Sequence, residues 1–195
     1  GVRMPDLKAI AKGHKADYKK IFELPYDSFE EIIIKGAAVG FADVPLCEKE
    51  PYIIRYAEMI DNWAECDCFC SCIKVKKSEA DDLLRLAEGL MYRKEEFVSR
   101  VGTVLMFSKF SDEPTVRKAL TIYDRLPGGE YYRDMAVAWG ISVYCVRYPQ
   151  LIVKYLEHSP ISIAVKLAAA QKIRDSRRIS DEVKHRVTDT VNAQR

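Results

Sequence analysis

Apolar residues recur along this chain at intervals of three and four positions, which is the spacing of one face of an α-helix. The clearest stripes run through 18–22, 83–91 and 97–105. The segment from Met135 to Val146 is apolar nearly all round, which predicts a helix buried on several sides. No cluster of residues supplies a competing sheet. The pattern therefore predicts an all-α chain of about eleven or twelve short helices.

Short motifs predict where individual helices begin. Asp27 with Glu30, and Ser78 with Asp81, have the residue types and spacing of capping boxes, which satisfy the first N–H groups of a helix. Ser180, followed by two acidic residues, predicts the start of the last helix, because negative charge is favourable at a helix N-terminus. The eight prolines are expected between helices.

Four residues of unusual type are separated by similar intervals. Arg100 follows Trp63 by 37 residues, Trp139 follows Arg100 by 39, and Gln171 follows Trp139 by 32. Each falls in the second helix of an apparent pair, and helical pairs of about 40 residues are typical of HEAT and armadillo repeats. We therefore expect one domain over residues 1–195, a right-handed α-α superhelix whose inner helices form a concave binding surface.

Trp63 and Asp67 are the first pair of candidate functional residues. Four residues apart, they share one face of a helix. An indole beside a carboxylate suits a cationic ligand, because the ring face attracts the cation and the carboxylate neutralises it. The alternative is structural: Trp63 belongs to the core and Asp67 caps a helix or pairs with an arginine.

Arg100 and Trp139 are weaker candidates when each is taken alone. Arg100 lies among small residues that would let a backbone or a phosphate approach closely, and the alternative is an ordinary surface arginine. Trp139 also has small neighbours, and the alternative is a core tryptophan within a buried helix.

Charge is nearly balanced overall and uneven along the chain. The 31 Lys and Arg against 29 Asp and Glu give a formal charge of +2, which argues against a histone-like polyanion binder. Residues 163–187 nevertheless hold seven basic and three acidic residues, whereas residues 1–62 hold nine and eleven. No run of 18 apolar residues and no secretory leader occurs, so we expect a cytoplasmic protein with reduced thiols and no membrane partner.

Four of the six cysteines, Cys66, Cys68, Cys70 and Cys72, alternate through one segment. On a helix they form two pairs that face nearly opposite directions and cannot converge on one ion. The spacing is not that of a zinc ribbon, and no histidine is close in sequence. We expect small buried thiols that pack between helices, and no metal.

Several stretches of the sequence together resemble the DNA alkylation repair family, the HEAT-like-repeat (AlkD-like) DNA glycosylases, in a shorter bacterial branch. In chain order they are Gly1–Leu7, Asp61–Trp63 with Cys66–Asp67, Val98–Gly102, Tyr131 and Tyr132 leading into Met135–Trp139, and Gln171–Ser176. The resemblance covers nearly the whole chain. It departs from the family at Leu167 and Ala168, where an Asn-Lys pair is common.

The resemblance implies a function and a role for each matching residue. The family's first tryptophan and its catalytic aspartate fall on Trp63 and Asp67, the arginine of the next inner helix on Arg100, and the second tryptophan on Trp139. It implies a monomeric, monofunctional glycosylase that excises N3- and N7-alkylated purines from duplex DNA without metal or cofactor.

The resemblance also bears on the basic residues near the C-terminus. With the resemblance, phosphate contact becomes the favoured use of Lys172, Arg174, Arg177 and Arg178. The main alternative is a non-catalytic helical-repeat module that binds DNA structure or a protein. Asp67 buried against an arginine and away from Trp139 would favour that module.

Overall fold

The computed structural model describes residues 1–195 and contains twelve α-helices and no strand. The predicted all-α class is confirmed. None of the helices is both long enough and apolar enough to cross a membrane. The helices are α1 Met4–Gly13, α2 Tyr18–Glu23, α3 Phe29–Phe41, α4 Leu46–Met59, α5 Trp63–Cys72, α6 Ala80–Met91, α7 Glu96–Lys109, α8 Glu113–Tyr123, α9 Tyr131–Arg147, α10 Pro149–His158, α11 Ile163–Asp175 and α12 Asp181–Asn192.

The chain divides into two compact units, residues 1–104 (unit 1) and residues 105–195 (unit 2). The division falls inside α7. In unit 1, α3 packs against both α1 and α5, and α4 packs against α6. In unit 2, α9 packs most extensively against α11, and α10 packs against α12. In both units, helices two apart in chain order pack together, and consecutive helices such as α2 with α3 and α11 with α12 pack together as well.

The helix starts are regularly spaced. From α3 onward, the odd-numbered helices begin at residues 29, 63, 96, 131 and 163, which are 34, 33, 35 and 32 residues apart. The even-numbered helices begin at 46, 80, 113, 149 and 181, which are 34, 33, 36 and 32 apart. All four of the spaced residues from the sequence lie on odd-numbered helices: Trp63, Arg100, Trp139 and Gln171.

Two of the three predicted helix starts are wrong in register. The cap of α3 is Ser28, which accepts a hydrogen bond from the Glu31 backbone N–H at 3.3 Å, one residue beyond the predicted Asp27. Before α6, a 3₁₀ turn at Lys77–Glu79 occupies the predicted Ser78 cap. Ser180 does precede α12, with acidic residues in the first turn, as predicted.

Four of the eight prolines lie within helices rather than between them, against the prediction. Pro5 lies in the first turn of α1, and Pro51 lies in the interior of α4. Pro114 and Pro149 occupy the first turns of α8 and α10, where the missing N–H has no helical partner to lose. In unit 1, Gly36 of α3 faces the ring of Tyr56 so closely that a Cβ there would overlap the ring. This contact sets the close approach of α3 and α4.

Candidate functional site

Trp63 is the first residue of α5 and is exposed. Asn62 caps the helix, its side-chain oxygen accepting a hydrogen bond from the Glu65 N–H at 3.1 Å. The Trp63 side chain lies outside the core, with 57% of its surface accessible. The alternative of a core tryptophan is therefore wrong. Exposure alone does not mark a site, because several other large hydrophobic side chains are exposed as well. Trp63 remains a candidate because it lies one helical turn before Asp67.

Asp67, one turn after Trp63, is held by Arg100 of α7. The Arg100 Nη2 donates to both carboxylate oxygens of Asp67, at 2.8 and 3.0 Å. The Arg100 side chain is 6% exposed, whereas that of Asp67 is 21% exposed. The charge of the carboxylate is thus compensated by a buried cation, and the exposed part of the carboxylate, which we call its wet edge, contacts solvent.

Arg100 is not the surface arginine of the alternative interpretation. The small residues beside it serve helix packing: a Cβ at Gly102 would lie 2.6 Å from the Ala87 oxygen and the Met91 nitrogen of α6. Ser99 adds a hydrogen bond from its Oγ to the Met91 oxygen, at 2.7 Å. The backbone that approaches Arg100 is that of α6, and a phosphate contact by Arg100 stays a prediction.

Glu65 is a buried carboxyl group that the sequence interpretation missed. It is almost fully buried on α5, where its backbone N–H donates to the Asn62 side-chain oxygen, and its Oε2 has no hydrogen-bond partner. Burial raises the pKa of Glu65 above its ordinary value, against the smaller opposing effect of the neighbouring Asn62 side chain and Asp61 backbone. The spacing of Asn62 and Glu65 is that of a capping box, a signal visible in the sequence.

Unit 2 holds a second group of predicted residues around Trp139. The Trp139 ring is half-buried, with its centroid 4.7 Å from that of Phe107 at an edge-on angle. It lines a cavity of about 380 Å³ between α9 and α11. Lys172 and Arg178 line the same cavity, together with Ser142, Asp175 and Ser176. The structure therefore joins one predicted aromatic residue to two of the predicted phosphate contacts.

The other two basic candidates differ from each other. Arg177 is exposed, and Arg174 is exposed but donates to the side-chain oxygen of Gln171. Unit 1 has 16 Lys and Arg against 19 Asp and Glu, a formal −3, and unit 2 has 15 against 10, a formal +5. The two units carry similar numbers of basic residues, and the net positive charge of the chain lies in unit 2.

The four alternating cysteines are buried on α5 and form no disulfide, and their burial is as the sequence predicts. Cys70 directs its thiol to the Val101 oxygen of α7, at 3.7 Å. No group of three or more cysteine, histidine, aspartate or glutamate side chains is arranged to hold a metal ion.

Comparison with known proteins adds no assignment. A scan against protein-family models finds no match, and searches of curated proteins and of solved structures find none. The resemblance to the DNA alkylation repair family therefore stays a prediction from the sequence.

Proposed function

We propose that this protein is a monofunctional DNA glycosylase that hydrolyses the N-glycosidic bond of cationic N3- and N7-alkylated purines in duplex DNA. The observation that carries the proposal is the exposed Trp63 one helical turn from Asp67, with the carboxylate fixed by Arg100. An indole face and a compensated carboxylate with a wet edge suit a positively charged base and a positively charged transition state.

We further propose that the helices form a HEAT-like superhelix. Helix starts every 32 to 36 residues support it, as does the packing of helices two apart within each unit. In HEAT-like arrays, successive first helices line one face and successive second helices the other. Trp63 and Arg100 of unit 1 and Trp139 of unit 2 all lie on odd-numbered helices.

The proposed reaction breaks the bond between C1′ and the purine nitrogen. The electron pair leaves with the cationic base, which departs as a neutral molecule, and the sugar acquires oxocarbenium character. Asp67 stabilises that developing charge. A water molecule then attacks C1′ and gives up a proton, leaving an abasic site. Because no lysine is assigned as a nucleophile, strand cleavage is not expected.

Arg100 acts in this scheme through Asp67. Its Nη2 donates to both carboxylate oxygens of Asp67, at 2.8 and 3.0 Å. Because 21% of the Asp67 side chain is exposed, solvent reaches the carboxylate. Arg100 sets the orientation of the carboxylate, which makes it a positioning residue.

Unit 2 supplies the contacts to the DNA backbone in this proposal. Lys172 and Arg178 offer positive charge beside the half-buried Trp139, and cations next to an aromatic face suit a phosphate and its attached sugar. Arg174 and Arg177 extend the basic surface, and the excess of positive charge in unit 2 supports this division of roles.

The decisive experiment measures release of 7-methylguanine from methylated duplex DNA, with abasic sites as a second readout. Asp67→Asn should lose most activity and keep DNA binding. Glu58→Gln is the matched control, because that exposed carboxylate lies on α4 and pairs with Arg93. Full activity of Asp67→Asn would overturn the assignment of Asp67, and no release by the wild-type protein would overturn the enzyme proposal.

A non-catalytic DNA-binding module is the second candidate. It is favoured by the buried Arg100 that already compensates Asp67, since an ion pair of this kind also occurs for purely structural reasons. The two candidates differ in one measurement: the module binds DNA with equal affinity whether or not it carries 7-methylguanine, and it releases no base.

A further inference from the structure

The solvent-facing side of α5 continues beyond Trp63 and Asp67. Trp63, Asp67 and Ser71 are four residues apart, so they follow one face of the helix, each about 6 Å from the next along the axis. Trp63 and Ser71 are exposed, and Asp67 contacts solvent at its wet edge. A ligand that extends along this face from Trp63 past Asp67 therefore reaches Ser71 next.

A lysine of the first helix contacts this end of the face. The Lys8 Nζ of α1 donates to the Ser71 Oγ at 2.8 Å. The Ser71 hydroxyl donates its own proton to the Cys68 backbone oxygen at 2.6 Å, which leaves its lone pairs for Lys8. Helices α1 and α5 both pack against α3, and this hydrogen bond joins them to each other. The ammonium group is thus held beside Ser71, one helical turn after Asp67.

Lys8 differs from the other fifteen basic side chains of unit 1, because it combines a fixed position with the lack of a compensating charge. Eight pair with a carboxylate: Arg3, Lys15, Lys19, Lys20, Arg55, Arg85, Arg93 and Arg100. Lys35 and Lys49 are buried and donate to backbone carbonyl groups. The other five are exposed: Lys12, Lys74, Lys76, Lys77 and Lys94. Lys8 is half-buried, and its side chain donates to a neutral hydroxyl group.

The environment of Lys8 favours an anion supplied by a ligand. A cation that loses part of its hydration is normally compensated by an opposite charge, and Ser71 provides none. An ammonium group has three N–H donors, of which Ser71 takes one. In duplex DNA the available anions are the backbone phosphates, and contacts to them set the position of the protein on the duplex.

We propose, building on the proposed function, that Lys8, held by Ser71, binds a DNA phosphate beside the nucleotide that lies at Asp67. When C1′ of that nucleotide is at Asp67, its phosphate is the width of one deoxyribose away. The spacing of Asp67 and Ser71, about 6 Å along the helix, matches that width. Lys8 thereby anchors the sugar against the carboxylate. Unit 1 then has a backbone contact of its own, in addition to those proposed for unit 2.

The test is the salt dependence of DNA binding, measured by fluorescence anisotropy on a duplex with 7-methylguanine and on the same duplex with guanine. Lys8→Gln keeps a donor for Ser71 and removes the charge. The slope of log K against log salt should fall by about 0.9 in magnitude on both duplexes, because one phosphate contact is lost. Lys8→Arg keeps the charge and should keep the slope. The matched control is Lys20→Gln on α2, which removes one exposed positive charge from the same unit and should leave the slope unchanged.

Ser71→Ala tests the fixed position of the ammonium group separately from its charge. The variant retains Lys8 and loses the hydrogen bond that holds it. The slope should therefore equal that of the wild type, while Kd at constant salt should rise about threefold, since a flexible side chain must be ordered on binding. An unchanged Kd would contradict the role of Ser71.

Base release, measured on the same proteins, distinguishes the failure of Lys8 from the failure of the enzyme. An unchanged slope in Lys8→Gln, or an equal reduction in Lys20→Gln, would overturn the phosphate contact even if the wild type releases 7-methylguanine. A reduced slope in Lys8→Gln alone would support the phosphate contact even if the wild type releases no base, which would overturn the glycosylase. A wild type that does not bind duplex DNA would overturn both.

Discussion

Replacing Arg100 by methionine tests both the stability and the role of the pair with Asp67. The substitution keeps the apolar stem of a side chain that is 6% exposed and removes its charge. Asp67 is left without its cation but with 21% of its side chain in contact with water. We expect a lower free energy of unfolding, DNA binding close to wild type, and reduced turnover.

The magnitude follows from the burial of the two partners. Removing one member of a fully buried ion pair costs about 3–5 kcal/mol, whereas an exposed pair contributes about 0–1 kcal/mol. Since water can reach Asp67 after the substitution, we expect Arg100→Met to cost about 2 kcal/mol. In a double-mutant cycle with Asp67→Asn, the two losses should fall short of additivity by about 1.5 kcal/mol.

Urea denaturation of the wild type, both single variants and the double variant gives the coupling free energy. Additive losses would show that the pair contributes nothing to stability. The salt dependence of DNA binding supplies the functional half of the test. A phosphate contact by Arg100 would reduce the slope of log K against log salt by about 0.9, and such a reduction in Arg100→Met would refute the positioning role.

Three further experiments, two of them with a matched control substitution, test separate parts of the structure. Trp63→Ala should change the free energy of unfolding by less than about 0.5 kcal/mol, because the side chain is exposed, yet it should abolish most base release. The control is Tyr92→Ala, which removes a side chain of similar exposure, 53%, and should leave base release intact. Gly36→Ala should destabilise the protein by about 3 kcal/mol, measured in thermal melts, because the added Cβ overlaps the buried ring of Tyr56. The control is Gly89→Ala in α6, where an added Cβ meets nothing within 4 Å, and it should stabilise the protein by about 0.5–1 kcal/mol. Glu65→Gln should raise the free energy of unfolding by about 1 kcal/mol at pH 7 and by much less at pH 4. The pKa of Glu65 is raised in the native state, so the native state binds this proton more tightly than the unfolded state does, and the stability of the wild type falls as pH rises. Equal gains at both pH values would contradict this linkage.

Helix type could be predicted from the sequence, whereas helix register could not. The 3.6-residue periodicity of apolar positions decides helix against strand over many residues at once. A cap depends on one or two side chains, and both Asp27 and Ser28 are good caps in isolation. Glu31 selects Ser28, because its carboxylate also accepts the Asp27 and Ser28 backbone N–H groups. Pro51 lies within α4 although proline disfavours a helix interior, so tertiary packing outweighs this local preference.

The candidate site was predictable only where it is local. Trp63 and Asp67 share a helix, so their neighbourhood follows from spacing alone. The partner of Asp67 comes from α7, 33 residues later, and no local pattern specifies that Arg100 turns its charge toward the carboxylate. Glu65 had a local signal in the sequence, the capping-box spacing from Asn62, but its burial depends on the packing of α5 against other helices.

The uneven charge of the two units bears on the choice between enzyme and binding module. A protein that only binds DNA gains from positive charge throughout, because each phosphate contact adds affinity. A glycosylase for cationic bases needs negative charge at the lesion and positive charge along the backbone. Unit 1, at a formal −3, carries the exposed Trp63 and Asp67, and unit 2, at +5, carries Lys172 and Arg178 beside Trp139. In the proposed glycosylase, an acidic unit 1 limits binding to undamaged DNA while Asp67 acts on a cationic base. This charge distribution is therefore an argument for the proposed enzyme over the proposed binding module, and the base-release assay decides between them.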